Sequence, residues 1–258
     1  KHNKMKRKFL LLLLLALTGI GGALKAHEVE IDNADGVTIH YYLHENDHHA
    51  VLVRAAATPT VNIPATIEYD GETYTVTVIG DNAFSSESII NAVSIPSSVI
   101  AIEVQAFYDC DGLRVVNFER GSQLGSIGQK AFAGGNNLSE VNLTACSQLT
   151  SIGLYAFAGC SNLTELYVPL SVTSFGGLAF DDVDTIYITN QQAANSDCPW
   201  GARNYIITCY IDGIFTYSDA AHTQIKGCNS ITATAVTIPK AVTSVAPGSF
   251  KDCTSLQS

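Results

Sequence analysis

The chain has 258 residues, and its 14 lysine and arginine residues are outnumbered by 24 aspartate and glutamate residues, which gives a net charge of −10 at pH 7. Six of the basic residues lie in the first 26 positions, so the remainder carries a net charge of −16. A surface this acidic repels phosphate backbones, which argues against nucleic acid as a partner.

The first 26 residues follow the order of a secretory signal peptide. Basic residues open the segment, an apolar run extends from Phe9 to about Ile20, and small residues lead to Ala26. Thr18 and three glycines interrupt the run, which falls short of the roughly 20 apolar residues that a membrane-spanning helix needs. We expect cleavage near Ala26, with Ala23 as the alternative, and therefore an exported chain without a membrane span.

Residues 27–74 are predicted to form a small β cap. Three runs rich in β-branched and aromatic residues, separated by turn signals, are the predicted strands: Val37–Leu43, His49–Ala55 and Thr73–Ile79. The task of this cap would be to cover the apolar end of a stack of repeats.

A cluster of histidines and acids lies between two of these predicted strands. His44, His48 and His49 stand beside Glu45 and Asp47, and imidazole and carboxylate groups suit Zn²⁺. His48 and His49 are adjacent, however, and would point to opposite faces of a hairpin. A solvated polar turn is the preferred interpretation, and no metal site is predicted.

Residues 75–188 repeat one pattern. The phenylalanine of an Ala-Phe pair recurs at intervals of 23, 25, 25 and 23 residues, at Phe84, Phe107, Phe132, Phe157 and Phe180. After each one comes an apolar-x-x-apolar-x-apolar frame, such as Leu138, Val141 and Leu143, which is the frame of a leucine-rich repeat. Alternation places Val141 and Leu143 inward and Asn142 outward on a short strand. One copy cannot bury its apolar face alone, but stacked copies can.

The predicted fold is therefore a mainly β leucine-rich-repeat solenoid with short helical turns and parallel strands on one face. An N-terminal β cap precedes it, and a β-hairpin interrupts it.

Three phrases resemble the BspA-like leucine-rich repeat family of bacterial surface proteins. They are VSIPSSVIAIEVQAFYDCDGL, LTSIGLYAFAGCSNLTELYVPLSVTSF and VTIPKAVTSVAPGSFKDCTSL. Ile-Pro before a turn, the Ala-Phe pair and Cys three residues after Phe recur together, and the resemblance covers somewhat over half of the chain. It implies an exported, non-enzymatic module for adhesion or host interaction.

The outward positions of the frames are predicted to form an exposed, concave strand face. Tyrosine, asparagine and acidic residues there suggest a binding surface, because tyrosine gives contact area at low entropic cost and solenoids bind through extended faces. A solvated face without a partner is the alternative. The candidate binding residues are Asn117, Glu140, Asn142, Glu165, Tyr167 and Tyr187.

The chain contains seven cysteines. Cys110 and Cys160 occupy equivalent positions two coils apart, which is about 10 Å at the usual strand spacing and beyond the roughly 7 Å that a disulfide spans. We interpret them as buried packing residues. Cys198 and Cys209 are close in sequence and outside the repeat, which makes them the possible disulfide.

Residues 189–233 interrupt the repeat. They contain Trp200, interpreted as a plug on the core, and two predicted strands around Asp212-Gly213, a strong hairpin signal. The segment either caps one array, which is the preferred interpretation, or is an insertion that preserves stacking. Residues 234–258 begin a further repeat whose frame is incomplete at Ser258, so we expect the chain to be a fragment of a longer protein.

The sequence carries no motif of a serine hydrolase, a zinc protease, a P-loop enzyme or a C-x-x-C site. A non-enzymatic protein without a cofactor is expected. Its predicted function is protein–protein interaction at the cell surface, as an adhesin for a host extracellular-matrix or serum protein. Two alternatives stay open: a structural spacer in a larger surface protein, and a carbohydrate-binding module that uses Tyr167 and Tyr187.

Overall fold

The computed structural model describes residues 26–189, 192, 194–195, 197–211, 215–217, 224–228 and 243–249. The predicted signal peptide, the Asp212-Gly213 turn and most of residues 234–258 lie outside this range. Within it the chain is mainly β, as predicted. The strands are β1 (Ala26–Asp32), β2 (Thr38–His44), β3 (His49–Ala55), β4 (Thr60–Asn62), β5 (Thr66–Tyr69), β6 (Glu72–Ile79), β7 (Ala92–Ile95), β8 (Ala101–Ile102), β9 (Val115–Phe118), β10 (Ser126–Ile127), β11 (Glu140–Val141), β12 (Ser151–Ile152), β13 (Glu165–Tyr167), β14 (Ser174–Phe175), β15 (Thr185–Thr189), β16 (Asn204–Ile211), β17 (Phe215–Tyr217), β18 (Gln224–Cys228) and β19 (Ser244–Val245).

The N-terminal cap is an antiparallel β1-β2-β3 meander, followed by a β5-β6 hairpin that turns at Asp70-Gly71. Alternation in β2 directs Ile39, Tyr41 and Leu43 into the core, where each is fully buried. The three predicted strands correspond to β2, β3 and β6, whereas β1, β4 and β5 were not predicted. The cap is built into the solenoid, because β4 pairs in parallel with β7 and β6 pairs in parallel with β8.

Two ladders of parallel strands run along the solenoid. The predicted frames supply one, which begins with the four-stranded sheet β4-β7-β9-β11. The other, unpredicted, is made of the two-residue strands β8, β10, β12 and β14, stacked in register. Its inward side chains include Ile102, Ile127 and Ile152, each 1% exposed.

The core phenylalanines form a continuous aromatic stack. Phe84, Phe107, Phe132, Phe157 and Phe180 lie in successive coils with ring centroids 4.8, 5.0, 5.1 and 6.0 Å apart. Trp200 ends the stack: its ring is 2% exposed, lies 3.8 Å from the Phe175 ring and packs edge-on against Phe180. The predicted role of Trp200 as a plug on the core is confirmed.

Each phenylalanine of the stack sits in a tight turn flanked by two left-handed residues. The residue two positions before it has φ between 53° and 57°, at Asn82, Gln105, Lys130, Tyr155 and Leu178. The residue two positions after it has φ between 52° and 76°, at Ser86, Asp109, Gly134, Gly159 and Asp182. Gly248, two positions before Phe250, has φ 77°, so the last repeat begins with the same backbone conformation.

The frame ladder is interrupted after β11. A short 3₁₀ turn, Leu143–Ala145, replaces the end of that strand, and β13 opens a separate sheet of order β13-β15-β16-β17-β18-β19. Strands β13, β15 and β16 are parallel, so the segment after residue 189 adds one more parallel strand before β17 and β18 turn antiparallel. Tyr210 pairs with Tyr217 across β16 and β17, as the predicted hairpin requires.

Among the described residues, no helix is both long enough and apolar enough to cross a membrane.

Candidate binding surface

The candidate surface centres on the parallel pair β13 and β15. Leu166 faces Ile186 across this pair, and both side chains are fully buried. The period of two therefore turns the flanking positions outward. Glu165 and Tyr167 are exposed, Tyr167 by 46%, and Tyr187 stands directly opposite Tyr167 in the register.

The two tyrosines stack on each other. Their ring centroids are 4.2 Å apart and their planes differ by 6°. The Tyr187 hydroxyl donates a 2.8 Å hydrogen bond to Oε1 of Glu165. Because only the neutral phenol can donate this bond, it raises the pKa of Tyr187 to about 12. We call Glu165, Tyr167 and Tyr187 the tyrosine patch.

The tyrosine patch is electrostatically negative. Among the described residues, no lysine, arginine or histidine lies within ion-pair distance of Glu165. The only described arginine paired on this side of the chain, Arg203, is 3.4 Å from Asp182. Glu165 thus carries a charge that no described cation neutralises.

The structure divides the predicted surface in two. Glu165, Tyr167 and Tyr187 lie together on β13 and β15, whereas Asn117 on β9 and Glu140 on β11 belong to the four-stranded sheet. Asn117 is exposed and pairs in register with Ser94, as the outward ladder predicts. Glu140 is also exposed and lies opposite Val115.

The predicted strand position of Asn142 is wrong. Asn142 is the N-cap of the 3₁₀ turn, and its Oδ1 accepts hydrogen bonds from the backbone N (3.1 Å) and the hydroxyl (2.5 Å) of Thr144. This local bonding competes with strand pairing, as asparagine two residues before threonine often does. The Asn-x-Thr spacing was the sequence signal for the turn, and the break it causes separates the tyrosine patch from Asn117 and Glu140.

The described cysteines are free thiols. Cys110, Cys146 and Cys160 are buried, and the Sγ atoms of Cys110 and Cys160 donate to the backbone oxygens of Phe84 (2.8 Å) and Phe132 (3.2 Å) in the preceding coil. Cys198 is also free and packs at the edge of the core. The predicted Cys198–Cys209 bridge is therefore not formed in this structure; the side chain of Cys209 lies outside the described residues.

The histidine-rich turn of the cap holds a set of pairwise contacts. His49 Nδ1 lies 2.7 Å from Asp47, His48 Nε2 lies 3.5 Å from Glu72, and the His44 and His49 rings stack at 4.1 Å. Burial and the neighbouring His49 lower the pKa of His44. In the described part of the chain, no three histidine, cysteine or acidic side chains converge on a point that could hold a metal ion.

The repeats match a known family. A family model described as a BspA type leucine rich repeat region fits six copies to residues 73–195 and 224–258. The chain belongs to this family.

Solved structures agree with the fold. A leucine-rich repeat protein from T. pallidum is 24% identical, with a TM-score of 0.52 over 64% of this chain and 77% of its own. A leucine-rich cell surface protein from Faecalibacterium prausnitzii is 18% identical, with a TM-score of 0.43 over 89% of this chain and 75% of its own. The pneumococcal vaccine antigen PcpA is 20% identical, with a TM-score of 0.48 over 89% and 63%. The comparison with curated proteins gives no match.

Proposed function

We propose that the chain is an exported, protein-binding module of the bacterial surface, and that the tyrosine patch is its principal contact with a host extracellular-matrix or serum protein. The observation that carries this proposal is the exposed Tyr167–Tyr187 stack beside the unneutralised carboxylate of Glu165. The resemblance to bacterial surface proteins supports the location and the adhesive role.

The geometry of the patch suits a binding hot spot. Tyrosine is enriched at such sites because a rigid ring offers a large contact area for little lost side-chain entropy. Stacking and the hydrogen bond from Tyr187 to Glu165 fix the rings before a partner arrives. Preorganisation of this kind lowers the entropic cost of association.

The charge of the patch indicates the character of the partner surface. Glu165 is exposed, and residues 27–258 carry a net charge of −16. Complementary charges accelerate encounter and disfavour acidic partners. The partner therefore presents a basic segment, whose lysine or arginine side chains pair with Glu165 and lie against the Tyr167 ring.

A capture experiment with three chains tests the proposal. Panels of extracellular-matrix and serum proteins are applied to the native chain, to a Tyr167→Ala/Tyr187→Ala variant and to a Tyr42→Ala variant. Tyr42 is 39% exposed on β2 of the cap and serves as the matched control. We expect saturable capture of a protein by the native and control chains, reduced at least tenfold in the double variant.

The opposite outcome is equally informative. Capture that survives the double substitution would place the site elsewhere on the chain. No capture by any of the folded chains would favour the structural spacer as the function of this region.

Carbohydrate binding is a second candidate, and the stacked tyrosines are the observation that favours it. A glycan array separates the two functions. Binding of a glycan that is lost in the Tyr167→Ala/Tyr187→Ala variant, without capture of an unglycosylated protein, would replace the protein-binding proposal.

A further inference from the structure

A cavity lies inside the N-terminal cap, remote in sequence from the tyrosine patch. The end of β1, the middle of β2 and strand β5 enclose a volume of about 360 Å³. Ile31, Pro64 and Ile67 give it apolar walls, and Asp32 and Glu68 contribute carboxylates from two different strands. The volume falls within the range of small-molecule sites, which is roughly 300–1,000 Å³.

Each carboxylate retains an oxygen that the protein does not use. The Thr38 hydroxyl donates to Oδ1 of Asp32 at 2.6 Å, and the Thr73 hydroxyl donates to Oε1 of Glu68 at 2.7 Å. These bonds hold the two side chains in place. Among the described residues, no basic side chain lies within ion-pair distance of either carboxylate.

The cavity wall also includes a buried hydroxyl without a partner. Tyr41 is fully buried on β2, and its Oη forms no hydrogen bond. A buried polar group without a partner costs free energy, and such groups in native proteins call for an explanation. A polar group of a bound molecule would supply the missing bond.

The charges and walls select one class of ligand. Two carboxylates repel anions, and a neutral apolar molecule would cover the carboxylates without replacing their water. A bound Ca²⁺ requires six to eight oxygen ligands, which apolar walls do not provide. A primary ammonium group on a short hydrocarbon chain satisfies the carboxylates and the apolar walls together.

We propose that this cavity binds a small primary amine whose ammonium group lies between Asp32 and Glu68 and whose second polar group pairs with the Tyr41 hydroxyl. The proposal is independent of the function of the tyrosine patch.

Three probes of similar length test each part of the proposal by isothermal titration of the full chain. 5-Amino-1-pentanol carries both an ammonium and a hydroxyl group, pentylamine carries only the ammonium, and 1,5-pentanediol carries only hydroxyls. We expect 5-amino-1-pentanol to bind at least tenfold more tightly than 1,5-pentanediol, because charge-assisted hydrogen bonds are the stronger ones. It should also bind more tightly than pentylamine.

Variants assign the effect to the cavity. Asp32→Asn and Glu68→Gln should each weaken 5-amino-1-pentanol about tenfold, whereas Asp70→Asn, which removes the same charge from the adjacent exposed turn, should not. Tyr41→Phe removes the unpartnered hydroxyl without removing the ring. In this variant, 5-amino-1-pentanol and pentylamine should bind equally.

Three results would overturn the proposal: equal binding of 5-amino-1-pentanol and 1,5-pentanediol, binding unchanged in both carboxylate variants, or no binding by a native chain whose amide NMR spectrum shows a folded cap. If amine binding persists while Tyr41→Phe leaves the preference over pentylamine unchanged, the assigned role of Tyr41 is overturned.

Discussion

At the scale of single residues, the buried thiols join successive coils. Cys110 and Cys160 occupy the same slot of the repeat, and each donates through Sγ to the carbonyl of a phenylalanine in the coil before it. Burial raises the pKa of both thiols to about 12. They are neutral packing groups at physiological pH, although the chain is expected to be exported.

The raised pKa values predict a loss of stability in alkaline solution. The thiol of Cys160 ionises near its ordinary pKa of 9.0 when unfolded, but only near 12 when folded. Its contribution to stability is therefore complete below pH 9 and falls as the pH rises from 9 towards 12, by up to about 1.4 kcal/mol per pH unit. Urea unfolding at pH 8, 9 and 10 measures this loss.

The Cys160→Ala variant assigns the effect. It should be less stable than the native chain at pH 8, by about 1–2 kcal/mol, because it loses the thiol and its hydrogen bond. Its stability should then fall less steeply above pH 9. Equal slopes for the two chains would contradict the assignment of the alkaline loss to Cys160.

At the scale of elements, the turns between ladders are set by close backbone contact. Gly153 follows the short strand β12, and a Cβ atom at this position would lie 2.6 Å from the backbone of Gly128 and Gln129 in the preceding coil. Gly128 has an equivalent contact with Glu103, at 2.6 Å. Coils can stack at this spacing only where the side chain is absent.

Gly153→Ala should destabilise the chain by about 2 kcal/mol or more, because backbone of the neighbouring coil must move to admit the methyl group. Gly177→Ala is the matched control: its new Cβ would meet only the Leu154 side chain at 3.6 Å. Denaturant unfolding measures both free energies. Equal stabilities of the two variants would show that the coils are not in such close contact.

The left-handed position before each core phenylalanine makes a second prediction. Gln105 has φ 57°, the value that Asn82 adopts at the same place one coil earlier. Asparagine tolerates this conformation, whereas a β-branched residue does not. Gln105→Asn should be neutral or slightly stabilising, and Gln105→Val should cost about 1–2 kcal/mol in thermal unfolding.

Gln129→Val is the control for this pair. Gln129 is exposed and has no left-handed backbone, so valine there should change the stability by less than about 0.5 kcal/mol. A similar loss in both valine variants would refute the role of the left-handed turn.

The same scale explains what could be predicted from the sequence. The spacing of the phenylalanines and the frame around Val116 and Leu166 predicts the stack and the inward faces, because burial of large apolar groups repeats with each coil. The ladder of β8, β10, β12 and β14 could not be predicted, since two residues are too few to show a period. The break at Asn142 depends on a local hydrogen bond to Thr144 that competes with an apolar frame of the usual form.

At the scale of the whole molecule, the outward face was predicted as one surface, but the structure has two. The tyrosine patch could be predicted as residues on neighbouring strands, because Tyr167 and Tyr187 hold equivalent positions in their frames. Its stacking geometry and the bond from Tyr187 to Glu165 depend on side-chain rotamers, which no periodicity encodes. The cavity in the cap was not predicted, because it is formed by β1 and β5, which lack a clear pattern.

The most direct test of the proposed function is to locate a bound partner on the chain. Hydrogen–deuterium exchange would compare the free chain with the same chain bound to a captured extracellular-matrix or serum protein. We predict slower exchange of the amides in β13 and β15, around the tyrosine patch, with no change in the short strands β8, β10 and β12. Protection confined to the cap or to the short strands, with β13 and β15 unchanged, would contradict the account.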